Sequence, residues 1–438
     1  GFDFCDALDD NGEFSYRLTG LARSANEQQV NSESQRYAIA PSFSWRPDDK
    51  TNFTFLSYFQ NEPETGYYGW LPKEGMVDPL PNGKRLPTDF NEGASNNTYS
   101  RNQKMVGYSF EHGFNDTFTV RQNLRFSEMK TSQKSVYGTG IASDGHTLNR
   151  GTVVDDERLQ NFSVDTQLES KFATGSVEHT LLTGVDYMRM RNDINAAFGI
   201  APPIDLNGNY TPEDFTFGNA APYQMNESKQ TGLYVQDQAE WDKWVLTLGG
   251  RYDWSQQATT VRSDNGYIER NDRKFTWRGG VNYLFDNGIS PYFSYSQSFE
   301  PSAFDLWSTP RVSYAPSKGE QYEAGVKYVP KAMPVVVTGA LYQLTKTNNL
   351  TADPSNPLGQ IPAGENRARG VEREAKAALT ANINMTASYT YTDAEYTKDT
   401  NLKGNTPEQV PEHMASLWGD YTFNDGTLSG LTLGTGGR

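Results

Sequence analysis

TFTVRQNLRF, residues 117–126, changes character at every step: Phe118, Val120, Leu124 and Phe126 fall on one side of an extended chain, and Thr117, Thr119, Arg121, Asn123 and Arg125 on the other. One side is oily and the other suits water. The pattern returns in WVLTLGGRYDW (244–254), where Trp244, Leu246, Leu248, Tyr252 and Trp254 oppose Thr247, Arg251 and Asp253. It returns again in MTASYTYTD (385–393), where Met385, Ala387, Tyr389 and Tyr391 oppose Thr386, Ser388, Thr390 and Thr392. These are long strands with two unlike faces.

About seventeen strands pass this test, and their connections alternate between two kinds. The short ones are PDDK (47–50), FND (114–116), ATG (173–175), DK (242–243), DNG (286–288), PKAMP (330–334), TAN (380–382) and NDGTL (424–428). Each carries hairpin-turn residues. Between them lie polar stretches expected to be long loops: 24–35, 61–99, 136–154, 194–226, 259–271, 301–315, 349–362 and 397–409. A soluble sandwich has no reason to segregate loop length so strictly, whereas a barrel threaded through an outer membrane does. The expected fold is therefore all-β, a transmembrane antiparallel β-barrel. Its strands must close, because an open edge in lipid leaves backbone groups without partners.

Composition agrees. Hydrophobic residues make up only 36% of the 438, yet Tyr (25), Phe (23) and Trp (8) are abundant, and mean hydropathy is −0.72. The chain is too polar for a large soluble core and too aromatic for disorder. Aromatic pairs near strand ends, such as Trp241 with Trp244, Tyr292 with Phe293 and Tyr421 with Phe423, suit interfacial girdles. A net charge of −15 with no Lys/Arg run argues against nucleic acid. Arg121, Arg125, Arg189, Arg191, Arg251, Arg278, Glu323, Glu372 and Glu374 are expected to face the lumen, where charge needs water or a partner. The chain offers no candidate for a plug. It opens at GFDF without Met and its closing LGTGGR reads as mid-strand, so residues 1–438 are expected to be one barrel domain of a longer protein, without its N-terminal plug and C-terminal strands.

No catalytic constellation emerges. His112, His146, His179 and His413 are scattered, Cys5 is alone, and no HExxH, GxSxG or P-loop is present. The chain is expected not to be an enzyme and to hold no metal or cofactor of its own. What stands out is NEPETGYYGWLPKEG (61–75), a polar loop that carries Tyr67, Tyr68 and Trp70 around one glycine. Tyr68 and Trp70, with Tyr137 and with Phe198 in NAAFG, sit where strands run out into loops, near a barrel mouth. Rigid aromatics there suit capture of a medium-sized amphipathic ligand; packing of the loops against one another is the plainer reading.

RYAIAPSFSWRPDDKTNFTFLSYFQNEPETGYYGWLPKEG (36–75), LPNGKRLPTDFNEG, TFTVRQNLRFSE, GLYVQDQAEWDKW, LGGRYDW, FTWRGGVNYLFDNG, PYFSYSQSFEPS, ENRARGVEREAKAAL and VPEHMASLWGDYTF together resemble the TonB-dependent ferrichrome-iron receptors of Gram-negative outer membranes. LGGRYDW, YSQSFEP and RGVE are shared among siderophore receptors generally, while NEPETGYYGWLPKEG is particular to the ferrichrome branch. The resemblance implies a barrel of roughly 22 strands in the parent, with a plug, that captures a ferric hydroxamate siderophore such as ferrichrome. It implies import driven by the TonB-ExbB-ExbD complex through that plug. The siderophore contacts carried over are Tyr68, Trp70, Tyr137 and Phe198. Iron is held by siderophore oxygens, so no protein ligand or cofactor is implied. Outer-membrane lipid and lipopolysaccharide are further partners, as are phage or colicin in the family. Docking attributed to the loop at 136–154 is not carried over, because here that loop is shorter than the family's, lacks Cys and has Thr139 where an aromatic is expected. A receptor for another siderophore, a passive porin and an outer-membrane hydrolase remain as competing readings.

Overall fold

The structure, a computed structural model, describes residues 1–301, 304–305, 312–331, 333–353 and 356–438. Its strands are β1 Phe2–Ala7, β2 Phe14–Asn26, β3 Glu33–Asp48, β4 Thr51–Glu62, β5 Thr98–Gly113, β6 Phe118–Ile141, β7 Thr147–Thr174, β8 Val177–Asp205, β9 Ala221–Trp241 and β10 Trp244–Val261. They continue as β11 Gly266–Tyr283, β12 Ile289–Glu300, β13 Phe304–Asp305, β14 Val312–Ser313, β15 Ser317–Tyr328, β16 Val335–Asp353, β17 Asn356–Ala378, β18 Ile383–Lys398, β19 His413–Thr422 and β20 Thr432–Gly437. Eighteen form one sheet, and β13 pairs with β14 in a separate two-stranded sheet. Within the large sheet each strand runs antiparallel to its neighbour in sequence, with β12 passing directly to β15. Strands β1 and β20 are the two edges, and no pairing joins them among the described residues. No helix among those residues is long and apolar enough to cross a membrane.

Seven of the eight tight turns fall where the sequence places them, between the ends of successive strands, and the eighth, 330–334, includes residue 332, which lies outside the described residues. The long connections differ. The stretch at 61–99 is a true loop, 63–97, and the one at 397–409 runs over 399–412. Within 136–154 and 259–271, however, the strands continue to short turns at 142–146 and 262–265. Likewise 24–35 shrinks to 27–32 and 194–226 to 206–220. Most of 301–315 and the tip of 349–362 lie outside the described residues. A strand crosses the hydrocarbon layer with about 9–11 residues, so the 29 residues of β8 and 28 of β7 stand far beyond it. In water both faces of such a strand can be polar, which removes the alternation that betrays strands in lipid.

Register settles which face is which. Phe118 and Phe126 share their face with the neighbouring Phe162, Leu168 and Val185. With Leu246 and Leu248 of β10, this is the exposed apolar band that meets lipid. The opposite face carries Arg121, whose guanidinium reaches Glu111 at 2.5 Å and Glu169 at 2.8 Å. It also carries Arg251, which binds Asp186 (2.9 Å) and the buried Asp253 (2.6 Å). Many lumen charges thus pair sideways along the wall rather than across a filled interior.

Two of the charges expected in the lumen are outside. Arg189 lies opposite Phe162 and Arg191 shares its parity, so both face outward. Arg189 pairs with Glu227 at 2.6 Å and Arg191 with Asp193 at 2.8 Å. Arg158 with Glu128 at 2.6 Å continues the same belt above the apolar band. There the outer face meets water and headgroups instead of hydrocarbon, so charge is tolerated.

Candidate binding mouth

Loop 63–97 looks solvated in sequence but is packed. Its Leu80 and Phe90 are buried against Leu148 of β7, Ile204 of β8 and Leu206, with Leu71, Met76, Leu86, Ile141 and Tyr210 around them. Burying each large side chain stabilises by about 1.5–3 kcal/mol. This small core lies beyond the membrane. A second cluster joins Ala94, Val136 and Ala201 to Phe215 and Phe217 of the next long loop. Asn97 fastens the loop to β6: its Oδ1 accepts the Val136 N–H at 2.9 Å and its amide donates to the Val136 carbonyl at 3.1 Å. Arg150 ties the two long loops, donating to the Glu92 carbonyl (2.8 Å), the Pro202 carbonyl (2.8 Å) and the Tyr210 hydroxyl (2.6 Å).

The three aromatics of GYYGW do different jobs. Tyr67 turns inward and donates its hydroxyl to Glu92 Oε2 at 2.5 Å, and Glu92 Oε1 accepts the Trp70 N–H at 2.8 Å. Glu92 itself is 0% exposed. Burial, then the adjacent Glu92 carboxylate, push the Tyr67 hydroxyl far above its ordinary pKa, so it remains a donor. A side chain at 69 would have to displace this pair, since a Cβ there would sit 2.3 Å from the Tyr67 hydroxyl and 2.4 Å from Glu92 Oε1. Tyr68 and Trp70 point away from this knot, 59% and 72% exposed.

The other two expected contacts lie on the neighbouring wall. Residues 118–138 of β6 keep register without a break, so Tyr137 shares the lumen face with Arg121 and Arg125. Tyr137 pairs with Gly151, Gly151 with Ile200, and Val153 with Phe198. Tyr137 and Phe198 therefore stand on one face, two strands and one pleat apart. The Trp70 carbonyl oxygen lies 2.7 Å from where a Cβ on Gly138 would be, and because successive residues of a strand point to opposite faces this sets the Trp70 backbone against the side of β6 away from the Tyr137 ring. Phe198 is 62% exposed and meets Tyr223 edge-on at 5.7 Å between ring centroids. Tyr68 packs on Tyr99 at 5.2 Å.

Tyr99, Ile200 and Tyr223 thus belong to the same surface, and the sequence reading missed them. Tyr99 starts β5 beyond the membrane, and a count of parity upward from Arg101 would have found it. Below Tyr99 the wall carries Arg101 and Arg36, which flank the buried Glu62 at 3.4 and 2.5 Å. Below Tyr137, Asp155 is raised to about 7, first by burial and then by its hydrogen bond to Glu157 and the charges of Glu157 and Asp156. The mouth is an exposed aromatic surface over a polar wall.

Residues 36–438 match the family described as TonB dependent receptor-like, beta-barrel. The chain belongs to that family. Along its full length it is 68% identical to the ferrichrome outer membrane transporter/phage receptor of Escherichia coli K12, and it covers 62% of that protein. It is 36% identical to the ferrioxamine B receptor of Salmonella typhimurium, again over 100% of this chain and 62% of the relative. The chain thus spans less than two thirds of the length of these relatives. Among solved structures, the siderophore receptor PiuA of Acinetobacter baumannii superposes with a TM-score of 0.81 at 20% identity, over 99% of this chain and 68% of that one. The match shows the same barrel fold. This family and the E. coli relative place the chain in the outer membrane as a multi-pass β-barrel. Its relatives are transporters and receptors.

Proposed function

We propose that this chain is the barrel portion of a receptor that binds a ferric hydroxamate siderophore, ferrichrome foremost, and imports it with the TonB-ExbB-ExbD complex. The observation that carries the reading is 68% identity along the whole chain to a ferrichrome transporter. Tyr68, Trp70, Tyr137 and Phe198 contact the siderophore, joined by Tyr99, Ile200 and Tyr223. Exposed rings held by a packed loop suit an amphipathic ligand because little side-chain entropy is lost on contact. Iron arrives already coordinated by siderophore oxygens, so the protein supplies neither a metal ligand nor catalysis. The outward belt of Arg158, Arg189 and Arg191 lies at headgroup level, where it suits the phosphates of lipopolysaccharide. Phage or colicin is a further partner on this reading, in keeping with the phage receptor named in the E. coli relative.

The test is ferrichrome binding to the full-length receptor in detergent, read by tryptophan quenching, with ferrioxamine B and ferric coprogen as competitors. Selective, saturable quenching by ferrichrome is expected. A response to ferrioxamine B alone would move the chain to the ferrioxamine branch, and no response to any of the three would return the aromatics to loop packing.

A further inference from the structure

We propose that Glu92 is the positioning residue of the mouth: its buried carboxylate fixes the Trp70 backbone and the Tyr67 ring, and so sets the direction in which Tyr68 and Trp70 face the ligand. This rests on the binding role proposed above for those two aromatics. Both carboxylate oxygens are used, one by the Tyr67 hydroxyl at 2.5 Å and one by the Trp70 N–H at 2.8 Å. The turn between them wraps the acid so closely that a side chain at residue 69 would push both the Tyr67 ring and the Glu92 carboxylate out of place.

An apolar side chain of similar volume would avoid the desolvation of a carboxylate but would leave the Tyr67 hydroxyl and the Trp70 N–H without their acceptor. Arg150 bonds the Glu92 backbone carbonyl at 2.8 Å. What the carboxylate supplies instead is direction. Two acceptors in one plane span residues 67 and 70, hold one ring inward and leave Tyr68 and Trp70 outward. Charge-assisted bonds are the stronger kind, and inside a buried site they hold geometry well. The clasp is itself anchored, since Asn91 Oδ1 accepts the Gly93 N–H at 2.8 Å and the Asn91 amide donates to the Val30 carbonyl at 2.7 Å. Glu92 touches no ligand on this account; it acts through Trp70.

The experiment uses the full-length receptor with Glu92→Ala, Glu92→Gln, Tyr67→Phe and Trp70→Ala, and the Glu92→Ala/Trp70→Ala pair. One readout needs no siderophore: the anisotropy of Trp70 emission, taken as the difference between each protein and its Trp70→Phe counterpart. The other is ferrichrome affinity. Glu92→Ala is expected to lower Trp70 anisotropy and weaken ferrichrome about tenfold, in the range of an interface truncation. Glu92→Gln can still accept the Trp70 N–H, and it is expected to stay within about threefold. On top of Trp70→Ala, loss of Glu92 should add less than about twofold, the non-additivity of residues acting as a unit.

Tyr67→Phe removes one bond and keeps the packing, so it tests the clasp even where Glu92→Ala disorders the loop; it should give a partial drop in anisotropy. Unchanged anisotropy in both Glu92→Ala and Tyr67→Phe would overturn the proposal, as would a full additive loss in the double variant. Unchanged ferrichrome binding by Trp70→Ala, with anisotropy still falling in Glu92→Ala, would instead remove the siderophore role of the site and leave the clasp standing.

Discussion

Leu80→Ala tests whether the mouth is a packed unit or a set of independent loops. Leu80 is 2% exposed and packs with Phe90, Leu148, Ile204 and Leu206. Leu→Ala at such a site costs about 2–5 kcal/mol, the cavity term depending on how far the surroundings collapse. Loop 63–97 has polar connections on either side that can give, so about 3 kcal/mol is the expected value. The cost should fall on opening of the loop and not on the barrel, whose sheet shares no side chain with this cluster below residue 141 of β6. At 1.4 kcal/mol per factor of ten, opening becomes roughly a hundredfold easier. Hydrogen exchange of the full-length receptor reads this directly. The Trp70 N–H, held by Glu92, should exchange about a hundredfold faster, while amides of residues 118–126 keep their protection. Equal exchange at Trp70 in both proteins would refute the packed mouth. Faster exchange throughout β6 would refute its independence from the barrel.

Three further outcomes follow from the same geometry. Trp70→Ala should weaken ferrichrome binding by on the order of 1–3 kcal/mol, as loss of an aromatic anchor does elsewhere; titration by quenching at the remaining tryptophans would show it, and unchanged affinity removes Trp70 from the site. Leu248→Arg, on the lipid face midway between the aromatics at 244 and 252, should cost about 2–4 kcal/mol in refolding into lipid, and Thr247→Arg on the lumen face far less. Equal costs would invalidate the assignment of faces. Asp155 has a native pKa raised to about 7, so between the ordinary carboxylate range and 7 the native state holds a proton that the unfolded chain releases. Its contribution to stability therefore falls as pH rises through that window. Asp155→Asn should flatten this fall, read as opening free energies by hydrogen exchange around residues 151–157 at pH 5 and pH 8, and a pH dependence unchanged by the substitution would refute the shift.

The strands within the lipid band were legible because hydrocarbon on one side and a wet lumen on the other impose alternation at every residue, as in 117–126 and 244–254. The tight turns were legible because each needs Gly, Asn, Asp or Pro locally. The family followed from residues as they stand in the chain, and the proposal of the four aromatics rests on the same resemblance. Arg189 and Arg191 were misplaced although their parity with Val185 could be counted, because charge was equated with lumen. Above the membrane that equation fails, since both sides of the wall are wet.

The extended hairpins at 136–154 and 259–271 gave no signal for the same reason: a strand with polar faces on both sides reads as a loop. Only tertiary structure decided that the polar stretch 63–97 has a core, because Leu80 and Phe90 find Leu148 and Ile204 from strands far along the chain. It alone decided that, of three aromatics in GYYGW, Tyr67 is structural and Tyr68 and Trp70 are presented. That choice is made by Glu92, 22 residues beyond Trp70. Period and turn chemistry are local properties that a sequence carries openly; the partner of a buried carboxylate is a property of the folded chain.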